Sequence, residues 1–313
     1  MTTYVSRGYV PADLPLFLEL ARHELSQRHI RPYYYHLGDD VWGLYAYGET
    51  ETIRVWFEDK QLTAWAALEL PVRVAMNVRD GVESRPDLAA EMLDWAESRT
   101  VEAWAATSVD SLPRAYRMLE ADTLSVEARD SDTGRIEFLR QRGYKWNERG
   151  GYRFEQSLEV QIPPVDLPPG FLLRYPKHKD IEERVDLHRD AWSVWGESGF
   201  SVDLYTKLRE QPEYDAELDV VLEAPDGHLV SYCICWADES SGVGLFEPVG
   251  TRPAYAGKGL GREMIREGLR RLKARGMHTA TVGTASVNDG ASALYRSAGF
   301  ELVEMEHMYT KDL

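Results

Sequence analysis

A glycine-rich segment from Arg252 to Gly261, with the sequence RPAYAGKGLG, is the most specific chemical signal in this chain. It lies where a predicted strand ends and a strongly amphipathic predicted helix begins. Glycines leave backbone amides unshielded, and the N-terminus of a helix adds partial positive charge. Together these features predict an anion-binding loop, for which a pyrophosphate group is the natural ligand.

Two nucleotide-binding motifs and a plain turn are the alternatives for this segment. A Walker A loop needs glycine and then serine or threonine at positions that Arg252 and Gly259 occupy. The dinucleotide fingerprint needs glycine at the position of Arg262, and an acidic residue after the next strand, where Gly283 and Thr284 stand. Both motifs are therefore disfavoured, and a turn that only starts a helix remains an alternative.

The loop and a downstream segment together resemble the two signatures of the GNAT acyltransferases. The stretch from Glu247 to Gly261 resembles the pyrophosphate-binding motif R/Q-x-x-G-x-G/A, with Gly259 and Gly261 in the small positions. Residues 288–300, NDGASALYRSAGF, resemble the motif N-x-x-A-x-x-L-Y-x-x-x-G-F at every fixed position. The two motifs occur in the family's order.

The resemblance implies acetyl-CoA as cosubstrate and no metal. The first motif position, usually Arg or Gln, is Ala256, so we expect weakened rather than abolished binding, with Lys258 or Arg262 supplying charge. The implied cofactor-binding residues are Val249, Thr251, Ala256, Gly257, Lys258, Gly259, Leu260, Gly261, Arg262 and Asn288.

The resemblance also implies two catalytic residues, Tyr295 and Glu247. Tyr295 would act as general acid toward the sulfur, because a phenol pKa of about 10 lies near that of a thiol. Glu247 follows Phe246 near the end of a predicted strand, where desolvation would raise its pKa toward that of a general base for the amine. The alternatives are a core aromatic for Tyr295, a solvent-facing carboxylate for Glu247, and a helix cap for Asn288.

The second half of the chain contains the elements that would position these residues. Their predicted order is β-α-α-β-β-β-α-β-α-β, which indicates a mixed sheet flanked by helices. We predict strands at 171–175, 218–223, 229–236, 243–249, 279–283 and 301–309, and helices at 180–193, 202–210, from the loop to Gly276, and at 290–298. The connection Trp192–Phe200 is the predicted substrate-recognition region.

A proline-rich segment divides the chain. Residues 161–170 read QIPPVDLPPG, which excludes helix and central strand. We therefore predict domains at 1–160 and 171–313, joined by this linker. In the first half, 54–57, 62–68, 72–78 and 101–107 are strand-like and 88–99 is helix-like.

The first half contains the signs of a degenerate repeat. Residues 136–144 parallel residues 293–300 when Gly143 is laid on Gly299, which predicts two tandem GNAT-like domains of the α/β class, each with a mixed, mostly antiparallel sheet. The segment 79–87, equivalent to the phosphate loop, has one glycine and three acids and would repel pyrophosphate. Leu139 stands at the position of Tyr295, so we predict a non-catalytic copy.

Composition limits the partners and the location. With 52 acidic against 36 basic residues the net charge is −16, which disfavours nucleic acid and would attract a cationic small molecule. Cys233 and Cys235 lie two apart on one predicted strand, a poor arrangement for a disulfide, and we interpret them as buried apolar residues. No apolar segment is long enough for a membrane span, and we predict a cytoplasmic protein.

These observations predict an N-acyltransferase that moves an acetyl group from acetyl-CoA to a primary amine of a small molecule by direct attack. We expect a monomer or a homodimer. The alternatives are a non-catalytic acyl-CoA-binding or scaffold module and a peptide or protein N-acetyltransferase.

Overall fold

The computed structural model describes residues 3–47, 50–69, 72–106 and 123–313. The chain forms two compact units, each with its own hydrophobic core. The first unit contains residues 1–35, 49–151 and 304–313, and the second contains 36–48 and 152–303.

The strands are β1 Val5–Gly8, β2 Ile53–Glu58, β3 Gln61–Glu69, β4 Arg73–Val78, β5 Thr123–Arg129, β6 Lys145–Ser157, β7 Leu172–Arg174, β8 Asp219–Glu223, β9 Leu229–Asp238, β10 Val243–Thr251, β11 Thr279–Ala285 and β12 Glu301–Asp312. The helices are α1 Leu14–Ser26, α2 Leu37–Tyr47, α3 Pro86–Ala106, α4 Thr133–Gln141, α5 Ile181–Trp192, α6 Val202–Arg209, α7 Leu260–Ala274 and α8 Asp289–Ala298.

The second unit contains the neighbouring strands β11-β10-β9-β8-β7. The pair β10 and β11 is parallel, whereas β9 pairs antiparallel with β10 and β8, and β8 pairs antiparallel with β7. This is the predicted mixed, mostly antiparallel sheet. All predicted elements of this half are present, with ends shifted by a few residues at most.

Helix α7 packs against the sheet along the apolar face that its sequence predicts. Leu260, Met264, Ile265, Leu269 and Leu272 are all buried, at helical spacing. Gly268 allows a close approach, because a Cβ at this position would lie 2.4 Å from a ring carbon of Phe246. This packing fixes the position of the glycine-rich loop that precedes α7.

The first half of the sequence repeats the same order of elements. The strands of the first unit neighbour one another as β1-β2-β3-β4-β5-β12, and β4 and β5 are its parallel pair. With Gly143 laid on Gly299, β5 coincides with β11 and α4 with α8. Both helices begin at a side-chain cap, from Asp132 in α4 and from Asn288 in α8. The predicted α/β fold, with a mixed sheet and flanking helices, is confirmed.

One predicted strand is wrong. Residues 101–106 continue helix α3, and Thr107 lies outside the described residues. The buried positions Leu93, Ala96, Thr100 and Trp104 follow at intervals of three and four, so one helical stripe extends to Trp104. A short apolar run is compatible with a strand or a helix, and only the spacing over the longer segment distinguishes the two.

Two segments group with the unit that lies on the other side of the linker in sequence. Residues 36–48, which include α2, belong to the second unit, and residues 304–313, the end of β12, belong to the first. Residues 161–170 contain neither helix nor strand. Each of the two units therefore consists of segments that are separated in the sequence.

Cys233 and Cys235 are buried in the second core with their sulfur atoms 3.9 Å apart, and both are free thiols. Burial raises the pKa of the Cys235 thiol well above its ordinary value. Across the described residues, no helix is both long and apolar enough to cross a bilayer.

Candidate functional site

The candidate site begins where the two parallel strands of the second unit separate. β10 and β11 pair from Val243–Thr279 to Phe246–Val282, and among the described residues the pairing stops there, although both strands continue. At the same point β10 contains a bulge, in which Glu247 and Pro248 together oppose the single residue Ile234 of β9. The edge of β10 from Glu247 to Thr251 therefore has no partner strand on the β11 side.

The glycine-rich loop follows directly at the end of β10. A 3₁₀ turn at Pro253–Tyr255 leads into Gly257 and Gly259, whose φ angles are +72° and +79°. These positive angles favour glycine. Within the described chain, the amides from Gly257 to Arg262 donate no hydrogen bond to another protein group.

This loop is open to solvent. Residues 256–259 are exposed, and a Cβ at Gly257 would meet nothing within 4 Å. Free amides at the N-terminus of a helix such as the 15-residue α7 can donate hydrogen bonds to an anion. The predicted phosphate loop thus has unpartnered donors at an accessible helix terminus.

The charged side chains of the loop differ in their availability. The Lys258 ammonium lies 4.8 Å from the centre of the Tyr255 ring. The Arg262 guanidinium lies 3.0 Å from Glu263, whose carboxylate also contacts Arg266. Lys258 is therefore the freer cation, and Ala256 contributes no polar side-chain group.

The remaining predicted cofactor residues lie on β10, at the start of α7 and at the start of α8. Thr251 lies on the unpaired part of β10 and its Oγ1 is 2.8 Å from Ser231 Oγ. Val249 packs against the core, and the Leu260 side chain is buried, which leaves only the Leu260 amide for a ligand. The Asn288 side chain accepts a hydrogen bond from the Ala291 amide, so it caps α8 as the alternative interpretation expected.

Glu247 lies in the bulge of β10. Trp236, which is buried, donates its indole N–H to the Glu247 carbonyl oxygen at 2.6 Å and anchors the bulge. Burial, together with the negative charge of Asp39, raises the pKa of the Glu247 carboxyl to about 8. A carboxyl with this pKa can take up and release a proton near neutral pH.

Tyr295 is buried on α8 in the core of the second unit, with its ring near Phe154 and Phe300. Its hydroxyl makes no hydrogen bond to any residue that the structure describes. Burial and the Glu247 charge raise the pKa of Tyr295, so the phenol keeps its proton at neutral pH. The ring belongs to the hydrophobic core, as the alternative interpretation held, whereas the hydroxyl can still donate a hydrogen bond to a ligand.

Helix α2 supplies a side of the site that sequence analysis missed. His36 accepts the Gly38 amide at Nδ1, so its Nε2–H donates to the Val243 carbonyl oxygen at 3.1 Å. Gly38 packs so closely on Trp236 that a Cβ would lie 2.3 Å from the indole. The His36 amide donates a hydrogen bond to the Asp39 carboxylate at 2.7 Å. These contacts hold Asp39 near Glu247.

The next residue of α2, Asp40, is buried, and its Oδ2 has no hydrogen-bond partner within the described chain. Burial and Asp39 raise the pKa of Asp40 well above its ordinary value. Three acidic side chains, Asp39, Asp40 and Glu247, thus interact in one region of the second unit. The proximity of α2 leaves no local pattern in the sequence, because His36 and Val243 are 207 positions apart.

Aromatic side chains from α2, α5 and β9 form a connected cluster in the same unit. The Trp42 ring lies 5.6 Å from His188 and 5.1 Å from Phe200. Tyr232 accepts the Trp192 indole N–H at 2.8 Å and contacts His188 Nδ1 at 2.7 Å. The predicted recognition region 192–200 is therefore divided, since Trp192 and Phe200 join this cluster and residues 193–198 are largely exposed.

Comparisons with known proteins agree with this architecture. Residues 182–300 match the acetyltransferase (GNAT) family. The chain is 28% identical over 164 residues to a mycothiol acetyltransferase of Saccharomonospora viridis, covering 50% of this chain and 54% of that protein. It is 34% identical over 154 residues to one of Kineococcus radiotolerans, covering 48% of each chain. The chain spans about half the length of the curated relatives it matches.

Solved structures resemble the fold along the whole chain. A GCN5-related N-acetyltransferase from Sphaerobacter thermophilus aligns over 99% of this chain and 95% of its own, with a TM-score of 0.65 and 18% identity. A tandem GNAT protein from the clavulanic acid biosynthesis pathway aligns over 100% and 98%, with a TM-score of 0.64 and 13% identity. The match at 182–300 and the resemblance in fold agree, and residues 182–300 form a domain of the acetyltransferase (GNAT) family.

Proposed function

We propose that the second unit transfers an acetyl group from acetyl-CoA to a primary amine of a small, cationic molecule. One observation carries this proposal. The free, exposed amides from Gly257 to Arg262 stand at the start of α7, next to the unpaired edge of β10 that holds Glu247. Donors for a diphosphate and a group able to move a proton are thus adjacent along one strand and its following loop.

The loop supports binding of coenzyme A through backbone donors. The amides and the α7 N-terminus would accept the pyrophosphate, and Lys258 would add charge. The same ligand would contact Val249, Thr251 and the remaining loop residues. Asn288 would contact it in addition to capping α8. Because Ala256 supplies no polar contact, binding rests on the backbone.

The proposed reaction is a direct attack of the amine on the thioester carbonyl. Glu247 would accept the proton of the attacking amine, and unpaired backbone N–H groups on the β10 edge would stabilise the oxyanion. The Tyr295 hydroxyl would give its proton to the departing thiolate. The reaction as proposed uses no metal and forms no covalent enzyme intermediate.

The acidic groups support a cationic acceptor. Asp39 and Glu247 interact electrostatically, and Asp40 interacts with Asp39, so an ammonium group approaching them would be stabilised. The ring of Trp42 on the same helix offers an additional surface for a cation. The relatives are named mycothiol acetyltransferases, and the acceptor of such an enzyme is the first compound to test.

We propose that the first unit does not catalyse the reaction. Leu139, at the position of Tyr295, is fully buried and has no proton to give. The segment 79–87, which ends in the first turn of α3, contains Asp80, Glu83 and Asp87, which oppose a diphosphate. The sequence boundaries 1–160, 161–170 and 171–313, a cytoplasmic location and a monomer or homodimer remain predictions.

A thiol-release screen tests the function. The full chain is mixed with acetyl-CoA and a panel of small amines, aminoglycosides, amino acids and peptides, and free coenzyme A is measured. We expect release with a subset of small cationic amines. Calorimetric binding of acetyl-CoA without release for any acceptor would instead indicate a binding module, and release only with peptides would indicate a peptide acetyltransferase.

Replacing Gly259 with alanine is expected to raise the KM for acetyl-CoA by about tenfold or more. A residue with a Cβ costs about 1–2 kcal/mol in the left-handed region and would turn the adjacent amides away from the ligand. The measurement is steady-state kinetics with acetyl-CoA as the varied substrate.

The matched control is Gly276→Ala, which introduces the same type of strain at φ +81° after the other end of α7. It should lower thermal stability by a similar amount while leaving the KM for acetyl-CoA unchanged. Equal KM values for the Gly259 variant and the unmodified chain would contradict the loop assignment.

Replacing Asp39 with asparagine is expected to move the ascending limb of the pH profile of kcat/KM to lower pH. Burial and the negative charge of Asp39 together raise the pKa of Glu247 to about 8, so removing the charge lowers that pKa and the base form appears at lower pH. Both proteins are assayed with the same acceptor, so the titration of the acceptor amine affects the two pH profiles equally. Asp203→Asn, at an exposed position on α6, is the control, and an unshifted limb in the Asp39 variant would exclude this coupling.

A further inference from the structure

The first unit contains a cavity of about 190 Å³ between the end of β4 and the first turn of α4. Asn77 of β4, Arg135 of α4 and Tyr34 are among its lining residues, and all of them belong to the first unit. The catalytic proposal for the second unit makes no use of this cavity.

Arg135, one of the residues that line the cavity, has unused hydrogen-bond donors. The residue is 2% exposed, its Nη1 donates to the Met76 carbonyl oxygen at 3.1 Å, and its guanidinium lies 4.1 Å from the centre of the Tyr34 ring. Its Nε and Nη2 are buried and have no partner among the described residues. Leaving such donors unpaired is costly, which points to a ligand that accepts from them.

Asn77, which also lines the cavity, has a second buried donor. The residue is 2% exposed, and its Nδ2 has no partner within the described chain. It follows Met76, whose carbonyl oxygen holds Arg135, so both donors are anchored at the end of β4. The Nε and Nη2 groups of an arginine form one edge that matches the two oxygens of a carboxylate.

Two of the three acids that line the cavity, Asp132 and Glu24, have other hydrogen-bond partners. Asp132 accepts the Arg135 amide at 2.9 Å and the Tyr34 hydroxyl at 2.9 Å. Glu24 accepts Arg31 Nη2 at 2.7 Å and the Asp80 amide at 3.1 Å. Neither acid satisfies the free edge of Arg135.

Glu83 restricts the charge of any ligand. Its carboxylate packs beside Gly134 in the first turn of α4, where a Cβ on the glycine would lie 3.1 Å from Oε2. A negative charge at this position opposes a phosphate or diphosphate at the helix terminus. The cavity volume also limits the ligand to a small molecule.

We propose that the first unit is a binding site for a small monocarboxylate, held by the Nε and Nη2 edge of Arg135 and by Asn77. The degenerate repeat would then have kept the position of a ligand site while changing its chemistry from diphosphate to carboxylate. This site is independent of acetyl transfer in the second unit.

Isothermal titration calorimetry of the full chain tests the proposal with acetate, propionate and butyrate, and with butylamine and inorganic phosphate as comparison probes. We expect binding of at least one carboxylate and no binding of butylamine. Absence of heat with all three carboxylates, as when water alone fills the cavity, would overturn the proposal. Tighter binding of phosphate than of every carboxylate would overturn it as well.

Two substitutions locate the binding. Arg135→Lys removes the two-donor edge but keeps the charge, and Asn77→Asp replaces a donor with a repelling carboxylate of nearly equal shape. Each should weaken carboxylate binding by about tenfold or more. Arg140→Lys, at an exposed position on the same helix, is the matched control and should bind as the unmodified chain does. Unchanged affinity in both test variants, with normal thermal unfolding, would place any binding elsewhere.

The Tyr295→Phe variant separates this proposal from the proposed function. It should bind the carboxylate with unchanged affinity although its acetyl transfer is impaired. A parallel loss of carboxylate affinity in that variant would show that the ligand occupies the second unit, and would overturn the assignment to Arg135.

Discussion

Replacing Glu247 with glutamine is expected to lower kcat by about 10²- to 10³-fold, because the amide cannot accept the proton of the attacking amine. In the unmodified chain kcat/KM should rise with pH through about 8, where burial and Asp39 set the pKa of this carboxyl. The direction follows from the protonation state, since the raised pKa keeps Glu247 neutral, and inactive as a base, at lower pH. The limb should disappear in the variant, and kinetics across the pH range measure both effects.

Glu239→Gln is the matched control for this experiment. Glu239 is exposed at the turn before β10, so its loss should change neither kcat nor the pH profile. Calorimetry should show that Glu247→Gln still binds acetyl-CoA, since the loop donors are unaltered. A Glu247 variant with full turnover would remove Glu247 from the mechanism while leaving the cofactor loop intact.

Replacing Tyr295 with phenylalanine is expected to lower kcat by about 10²-fold, with little change in the KM for acetyl-CoA. Burial and the Glu247 charge raise the pKa of the phenol, so it holds a proton that it can give to the leaving thiolate. The expected loss lies at the lower end of the range for general acid catalysis, because a thiolate, whose conjugate acid has a pKa of about 8.5, is a good leaving group. Steady-state thiol release measures the effect.

The stability of the Tyr295 variant should be nearly unchanged. The ring keeps its contacts with Phe154 and Phe300, and the lost hydroxyl has no hydrogen-bond partner among the described residues. Tyr175→Phe, at an exposed tyrosine of the same unit, is the control for removal of a phenol. Retained turnover in Tyr295→Phe would reduce this residue to a core aromatic.

The loop and its flanking elements were predictable because their information is local. The positive φ angles at Gly257 and Gly259 and the start of α7 follow from residues within a few positions of each other. The amphipathic spacing from Leu260 to Leu272 likewise fixes the buried face of α7. The erroneous strand at 101–107 shows the limit of such patterns, since a helical stripe ending at Trp104 extended α3 beyond its predicted end.

By itself, the sequence determined the element order of the second half and the position of the glycine-rich loop, because both depend on short-range spacing. It also predicted a phosphate site at this loop and named Tyr295 and Glu247 as candidate catalytic residues. Only the tertiary structure decided that α2 belongs to the second unit, that Asp39 acts on Glu247, and that Arg135 and Asn77 are buried with free donors. These features depend on contacts between residues far apart in the chain, such as His36 and Val243. Such contacts set burial and electrostatics, and therefore pKa values and unpaired donors, without leaving a local pattern.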